Sequence, residues 1–249
     1  MDNAQLMYVS YRWHRIANPC SLEQIERVLD FADLAPGDKA ADLGCGNGLV
    51  SGWMAERWGL DLAAVERAPE MAALARAELS RPLGRGRARL VEASAHEYLA
   101  EAGEHRLIAL LGPSEIFPDL RTPAQQIAAM APSLAPGGWL MWGDVFWKQP
   151  PGPRLAALYA PDRYESLAGW AAAGESAGLT PHYAAVSGEP DWETFIWKMN
   201  ASLEAWGMEG PSESAAAARQ RAAALRELYL NEGRETVGFV VFLFRRSLA

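Results

Sequence analysis

The stretch "ADLGCGNG" (41–48) puts three glycines, Gly44, Gly46 and Gly48, on alternate positions directly behind an aspartate. Before it, "KAADLGC" reads as a short buried strand, and after it "LVSGWMAERWG" (49–59) reads as a helix ending at Gly59. Glycines crowded between a strand and a helix describe a sharp turn whose main chain must stay uncovered. The N-terminus of the helix that follows offers unpaired N–H groups and partial positive charge. The turn is therefore predicted to bind a ligand as well as to reverse the chain.

The rest of the sequence keeps the strand–helix alternation. "SLEQIERVLDFADLAPG" (21–37) opens on a capping box, Ser21 with Gln24 three residues on. Its Leu22, Ile25, Val28, Leu29 and Ala32 form one apolar stripe. Apolar runs at 60–66, 88–94, 105–112 and 136–147 predict further strands, with helices from Pro69 to about Ser80 and over 123–134. Strands that are apolar throughout belong to a parallel sheet covered on both faces, so the predicted class is α/β with a doubly wound sheet. Beyond Trp147 come a loop (148–153), a helix (164–179), an extended segment (180–188), helices at 191–206 and 212–233, and a closing strand (236–246). Nothing reads as a linker. The expected organisation is one domain: 1–37 a lid and helix, 38–147 the binding core, 148–235 a helical cover and insertion, 236–249 the final strand.

The formal charge of −8 argues against a nucleic-acid partner. Arg81, Arg85, Arg87 and Arg89 read as a solvated turn and not as a phosphate track. Cys20 and Cys45 make neither a disulfide framework nor a metal pattern. The start "MDNAQLMYVSYRWHR" is not a signal peptide, and "VGFVVFLF" (237–244) is too short to span a bilayer. A cytoplasmic protein without a membrane partner is expected; the oligomeric state is open.

The nicotinamide fingerprint G-x-G-x-x-G fits poorly, because Leu49 stands where its last glycine belongs. "DLGCGNG" instead closely resembles motif I of the class I, Rossmann-like S-adenosylmethionine (SAM)-dependent methyltransferases. "RAPEM" (67–71) is similar to that family's "S-P-E-M", and "LAPGGWLMWGDVFW" (134–147) to its "L-x-P-G-G" turn and fifth strand. The resemblance covers 38–147 best. The segments "YRWHRIANPCS", "DWETF" and "YLNEGRETVGFVVFLFRR" look like an uncharacterised bacterial subgroup of the family.

The resemblance implies a seven-stranded, mostly parallel sheet with a helical N-terminal lid and a helical insertion before the last strand. It also implies SAM as methyl donor, with S-adenosylhomocysteine as product. Asp42 would face the cationic ammonium, and Gly44, Cys45, Gly46, Asn47 and Gly48 would cradle the aminoacyl end. Glu66, ending the second strand, can accept hydrogen bonds from both ribose hydroxyls. Arg67 and Met71 belong to the following turn. Where the family has Gly-Asp-Ala at the adenine edge, this chain has Ala93-Ser94-Ala95, so Ser94 replaces an acid and Ala95 follows it. Leu111 ends the fourth strand, where the methyl donor faces the acceptor, and would contact the cofactor.

Methyl transfer from a sulfonium is an in-line displacement, and positioning supplies much of its catalysis. Candidates to orient the acceptor or take its proton are Glu115 after the fourth strand, Asp144 read as ending the fifth, and His14 among Tyr8, Tyr11 and Trp13. Each can equally be a capping, loop or packed residue. Trp147 and Trp192 begin segments that should cover the site; the other tryptophans read as core. No metal is expected. The function predicted is methylation of an N or O atom on a small-molecule acceptor. A protein or peptide methyltransferase, and a SAM-binding module without turnover, are the alternatives.

Overall fold

The computed structural model describes residues 3–112, 116–117, 119–120, 122–159, 164–209 and 212–248. The strands are β1 (Lys39–Leu43), β2 (Asp61–Val65), β3 (Arg87–Val91), β4 (His105–Leu111), β5 (Leu134–Trp147), β6 (Leu179–Val186) and β7 (Val237–Arg246). They form one seven-stranded sheet in the order β3-β2-β1-β4-β5-β7-β6. β7 runs antiparallel to both neighbours, and the other pairings are parallel. The order reverses between β1 and β4, which places the ligand crevice at the C-terminal ends of those strands.

Period-two alternation divides each strand between two cores. Ala40, Leu62, Leu107, Trp139 and Met141 face one side, under α2 (Leu22–Leu29), α3 (Leu49–Trp58) and α4 (Pro69–Leu79). Ala41, Leu43, Ile108, Leu140 and Trp142 face the other, under α5 (Ala95–Ala102), α6 (Pro123–Met130) and α8 (Leu167–Ser176). Continuous apolar strands were the signal for this arrangement, and both faces are indeed covered. The short helix α7 (Pro153–Tyr159) follows β5. Sequence periodicity missed α5 and α7, because helices of two turns or so carry too few residues for a visible stripe.

The predicted insertion lies between β6 and β7. It comprises α9 (Glu189–Glu209) and α10 (Ser212–Leu228), a π-helical turn at Tyr229–Gly233 and the short α11 (Arg234–Thr236). The N-terminal helix α1 (Asn3–Tyr11) docks on α9. Val9, Met199, Leu203, Ala218 and Ala222 make the small core between α1, α9 and α10. Arg12 pins this contact: it donates to the Ser202 hydroxyl at 2.9 Å and stacks against Trp13 and Trp206, 5.3 and 5.4 Å from their ring centres.

His105 opens β4 in full burial. Its Nδ1 donates to the Ser133 carbonyl at 3.3 Å, and its Nε2 accepts from the Tyr98 hydroxyl at 2.9 Å. Burial, with Lys39 adding to it, pushes its pKa down to about 4. The unfolded chain takes up the proton first, so this site loses stability as pH falls from 6.5 towards 4. His105→Gln is expected to flatten the dependence of the melting temperature on pH across that window. Asp42 and His14 titrate in both proteins and drop out of the comparison. An identical slope in wild type and variant would contradict the assignment.

Candidate functional site

The glycine loop lies where β1 hands over to α3. Gly44, Gly46 and Gly48 have φ of +72°, +58° and +78°, a backbone that side chains rarely adopt. Their reasons differ. A Cβ on Gly48 would sit 3.1 Å from the Ala75 Cα and 3.2 Å from its Cβ, so this glycine lets α3 and α4 pack. A Cβ on Gly44 would meet only the tip of Ile116, at 2.3 Å, and one on Gly46 nothing nearer than the Met71 Cε at 3.5 Å. Gly44 and Gly46 are the positions that leave bare main chain at the crevice.

Five N–H groups of the turn and its exit are bonded within the protein. Gly44 and Cys45 both donate to the Val65 carbonyl, at 2.8 and 3.0 Å, and Gly48 donates to the Cys45 carbonyl at 3.0 Å. Leu49 donates to the Asn47 side-chain oxygen at 3.1 Å, and Gly46 donates to Glu66 Oε2 at 3.0 Å. A turn this tight satisfies its own donors locally. What it offers a ligand is uncovered backbone and nearby carboxylates.

Asp42 is buried at the end of β1, and the Ser51 hydroxyl donates to its Oδ2 at 2.5 Å. Burial raises its pKa to about 6; the Ser51 bond opposes the rise and the charge of Glu66 adds to it. Glu66 follows β2 and holds both flanking turns, Oε2 on Gly46 and Oε1 on the Ala68 N–H at 2.8 Å. A carboxylate has about four lone-pair sites, so these bonds leave room for more donors. The Cys45 thiol is buried and its pKa is raised, first by burial and then by Asp42 and Glu66.

The other cofactor candidates lie around this loop. Met71 stands on the first turn of α4, beside Gly46. Arg67 is exposed. Ser94 is the N-cap of α5: its hydroxyl accepts from the Glu97 N–H at 3.2 Å and donates to Glu97 Oε2 at 2.7 Å. That capping box was legible in the sequence, and it commits most of the hydroxyl's bonding capacity. Ala95 is buried as the first residue of α5.

The segment after α1 crosses this loop. Asn47 donates to the Arg15 carbonyl at 2.9 Å, and Asn18 donates to the carbonyl of Leu111, the last residue of β4, at 3.4 Å. His14 stands directly before these ties. It is buried, its Nε2 donates to the Phe195 carbonyl of α9 at 2.9 Å, and its ring packs edge-on to Phe195 and Tyr11 at 5.0 and 5.6 Å. Its Nδ1 is buried with no partner. Burial, with Lys198, lowers its pKa below 6.5, which keeps the imidazole neutral with a lone pair on Nδ1.

Asp144 does not end β5, which runs on to Trp147. It pairs with Val240 inside the sheet, one position past the last β4 pairing of Leu111 with Gly143. It is buried, and its Oδ1 accepts from the Val145 N–H at 2.7 Å. Glu115 lies outside the described residues. Trp147 and Trp192 are buried under the cover, whereas Trp139, Trp142 and Trp170 belong to the sheet cores. Beside Trp192, an apolar cavity is lined by Leu155, Ile196, Leu225, Tyr229 and Val237. Ser51, Ile116 and Asn18 went unnoticed in the sequence, since only the folded chain brings them to the glycine loop and the end of β4, and so did Phe195, which the fold sets against His14. Among the described residues, no group of three or more His, Cys, Asp and Glu side chains could hold a metal ion. Among them, too, no helix is long and apolar enough to cross a membrane.

Residues 40–138 match the family described as Methyltransferase domain. No curated protein matches the sequence. Among solved structures, the chain is similar to a SAM-dependent methyltransferase of Geobacter sulfurreducens in complex with S-adenosyl-L-homocysteine. The TM-score is 0.84 and the identity 22%, over 96% of this chain and 97% of that one. A SAM-dependent methyltransferase of Thiobacillus denitrificans, also in complex with S-adenosyl-L-homocysteine, gives 0.84 and 22% over 98% and 99%. The YjhP protein of E. coli gives 0.84 and 22% over 96% and 98%. The seven-stranded sheet with its antiparallel β7 is the class I methyltransferase fold.

Proposed function

We propose that this chain, a class I methyltransferase domain with a helical cover, moves a methyl group from SAM to an N or O atom of a small-molecule acceptor. The observation that carries the reading is the bare main chain of Gly44 and Gly46 set between two carboxylates, the buried Asp42 and the turn-bound Glu66. A cationic aminoacyl end suits the first carboxylate and a diol suits the spare lone pairs of the second. S-adenosyl-L-homocysteine in two similar structures supports the same choice. The cofactor supplies a methyl group already activated on a sulfonium.

The chain's own residues hold and align. Asp42 and the loop keep the aminoacyl end, Glu66 keeps the sugar, and Met71 flanks the crevice. Packed α1 and α9, fastened through Arg12, cover the acceptor side and exclude water. A cover of this kind suits a small acceptor better than a protein chain laid in an open groove. Where the acceptor carries a proton, His14 Nδ1 receives it. Asp144 lies past the end of β4 and orients the acceptor.

The test pairs binding with turnover. S-adenosylhomocysteine is expected to raise the melting temperature and NADH to leave it unchanged. Radiolabelled SAM is expected to label one member of a panel of small amines and hydroxyl compounds. Binding without labelling of any acceptor, proteins included, would instead favour a non-catalytic module. Glu66→Ala is expected to weaken S-adenosylhomocysteine by roughly 1.5–3 kcal/mol, the value of hydrogen bonds to a charged group. Wild type should discriminate against the 2′-deoxy analogue and the variant should not; equal affinities in wild type would refute the sugar contact.

A further inference from the structure

Asp42 is an unusual group to leave charged. Asp42 is 4% exposed, in a site whose other nearby ionisable groups are the Glu66 carboxylate, across the turn, and the Cys45 thiol on its own loop. Neither helps it to ionise: a second carboxylate repels the charge, and a thiol with a raised pKa is neutral. One group works the other way. Ser51, on the first turn of α3 and fully buried, donates its hydroxyl to Asp42 Oδ2 at 2.5 Å. Capping α3 falls to the Gly48–Leu49 turn and the Asn47 side chain instead, and the other group Ser51 bonds is the neutral Cys45 thiol.

We propose that Ser51 is a positioning residue that holds Asp42 in its anionic form and so admits a ligand's ammonium group to the glycine loop. The inference rests on the SAM reading above and adds the residue that governs the pH at which that reading operates. Because burial raises the Asp42 pKa to about 6, the carboxyl is partly protonated in mild acid. A ligand's ammonium group must then displace that proton. Affinity therefore falls as pH drops through this range, by up to about tenfold per unit once the carboxyl is mostly protonated. Without the Ser51 donor the proton is held more tightly, and the fall begins at higher pH.

The experiment is calorimetric titration of the full chain with S-adenosylhomocysteine at pH 5 to 8. At each pH, two buffers of different ionisation enthalpy count the protons released. Wild type is expected to release a proton on binding near pH 6 and almost none at pH 8. Ser51→Ala should move the release profile and the affinity midpoint upward by about one pH unit or more, the worth of a hydrogen bond to a charged group. Ser51→Thr, which keeps the donor, should stay near the wild-type midpoint, and Asp42→Asn should release no proton at all. A uniform loss of affinity in Ser51→Ala with an unmoved midpoint would make Ser51 merely structural and overturn the inference. So would a wild type that binds without any proton release between pH 5 and 8. If Ser51→Ala does not fold, an NMR titration of the Asp42 carboxyl in wild type and Ser51→Thr decides the matter. There, a midpoint at the ordinary carboxylate value in wild type overturns it. Failure of wild type to bind S-adenosylhomocysteine at any pH strikes the SAM reading itself, a separate outcome.

Discussion

Gly44→Val is expected to abolish S-adenosylhomocysteine binding, a loss of a hundredfold or more, while the chain still folds. At φ +72° a β-branched residue is strained, and the cost to the fold is about 1–2 kcal/mol. The branched side chain would project to where the tip of Ile116 now lies, 2.3 Å from the new Cβ. Ile116 can swing aside, because only the end of a flexible side chain is in the way. A bound ligand against the same backbone cannot, since its aminoacyl end must lie close to the loop. Calorimetry gives the affinity, and circular dichroism with a melting curve establishes that the variant is folded. A folded Gly44→Val protein with wild-type affinity would mean that the crevice is not the cofactor site. Gly48→Val is a useful contrast. Its Cβ meets the Ala75 backbone, so its damage should appear first as lost stability.

The second large effect is expected at His14. His14→Gln keeps a donor for the Phe195 carbonyl but cannot take a proton. It should lower kcat about a hundredfold with the acceptor that the labelling panel identifies, at the lower end of what general bases contribute. S-adenosylhomocysteine affinity should be unchanged, because His14 is assigned to the acceptor and not to the donor. The pH profile carries the stronger evidence. The His14 pKa lies below 6.5, so wild-type kcat should be flat at neutral pH and decline in acid as Nδ1 becomes protonated. The variant should lose that acid limb. A variant that keeps both kcat and the limb would leave His14 as a packing residue between Tyr11 and Phe195. Measuring kcat at saturating SAM separates the acid limb at His14 from the affinity loss at Asp42.

How much of this was visible in the residues can be judged at particular places. The β1 turn was, because strand, acid and alternate glycines are local features and local sterics dictate them. Glu66 was found for the same reason, being the last polar stop on an apolar strand. The turn's own hydrogen bonds were not legible: whether one of its N–H groups is spare depends on where the Val65 carbonyl and the Glu66 side chain lie, and both come from another strand. Asp144 reads as the end of the fifth strand although the apolar run reaches Trp147; nothing local says that the strand's last residues pair with β7 beyond the end of β4. Ser94 was read for a ligand although its capping box with Glu97 gives the hydroxyl a nearer occupation.

The sequence by itself determined the alternation of strands and helices, the glycine turn and the acids that flank it. Periodicity, helix caps and backbone sterics act over a few residues and are written in consecutive letters. The tertiary structure alone decided that Ser51 meets Asp42, that Asn47 and Asn18 tie down the segment carrying His14, and that Phe195 fixes which imidazole nitrogen is left open. Those contacts join residues far apart in the chain, or on different sides of a turn. Burial then decides their charge, and it exists only once the sheet and its cover have closed around them.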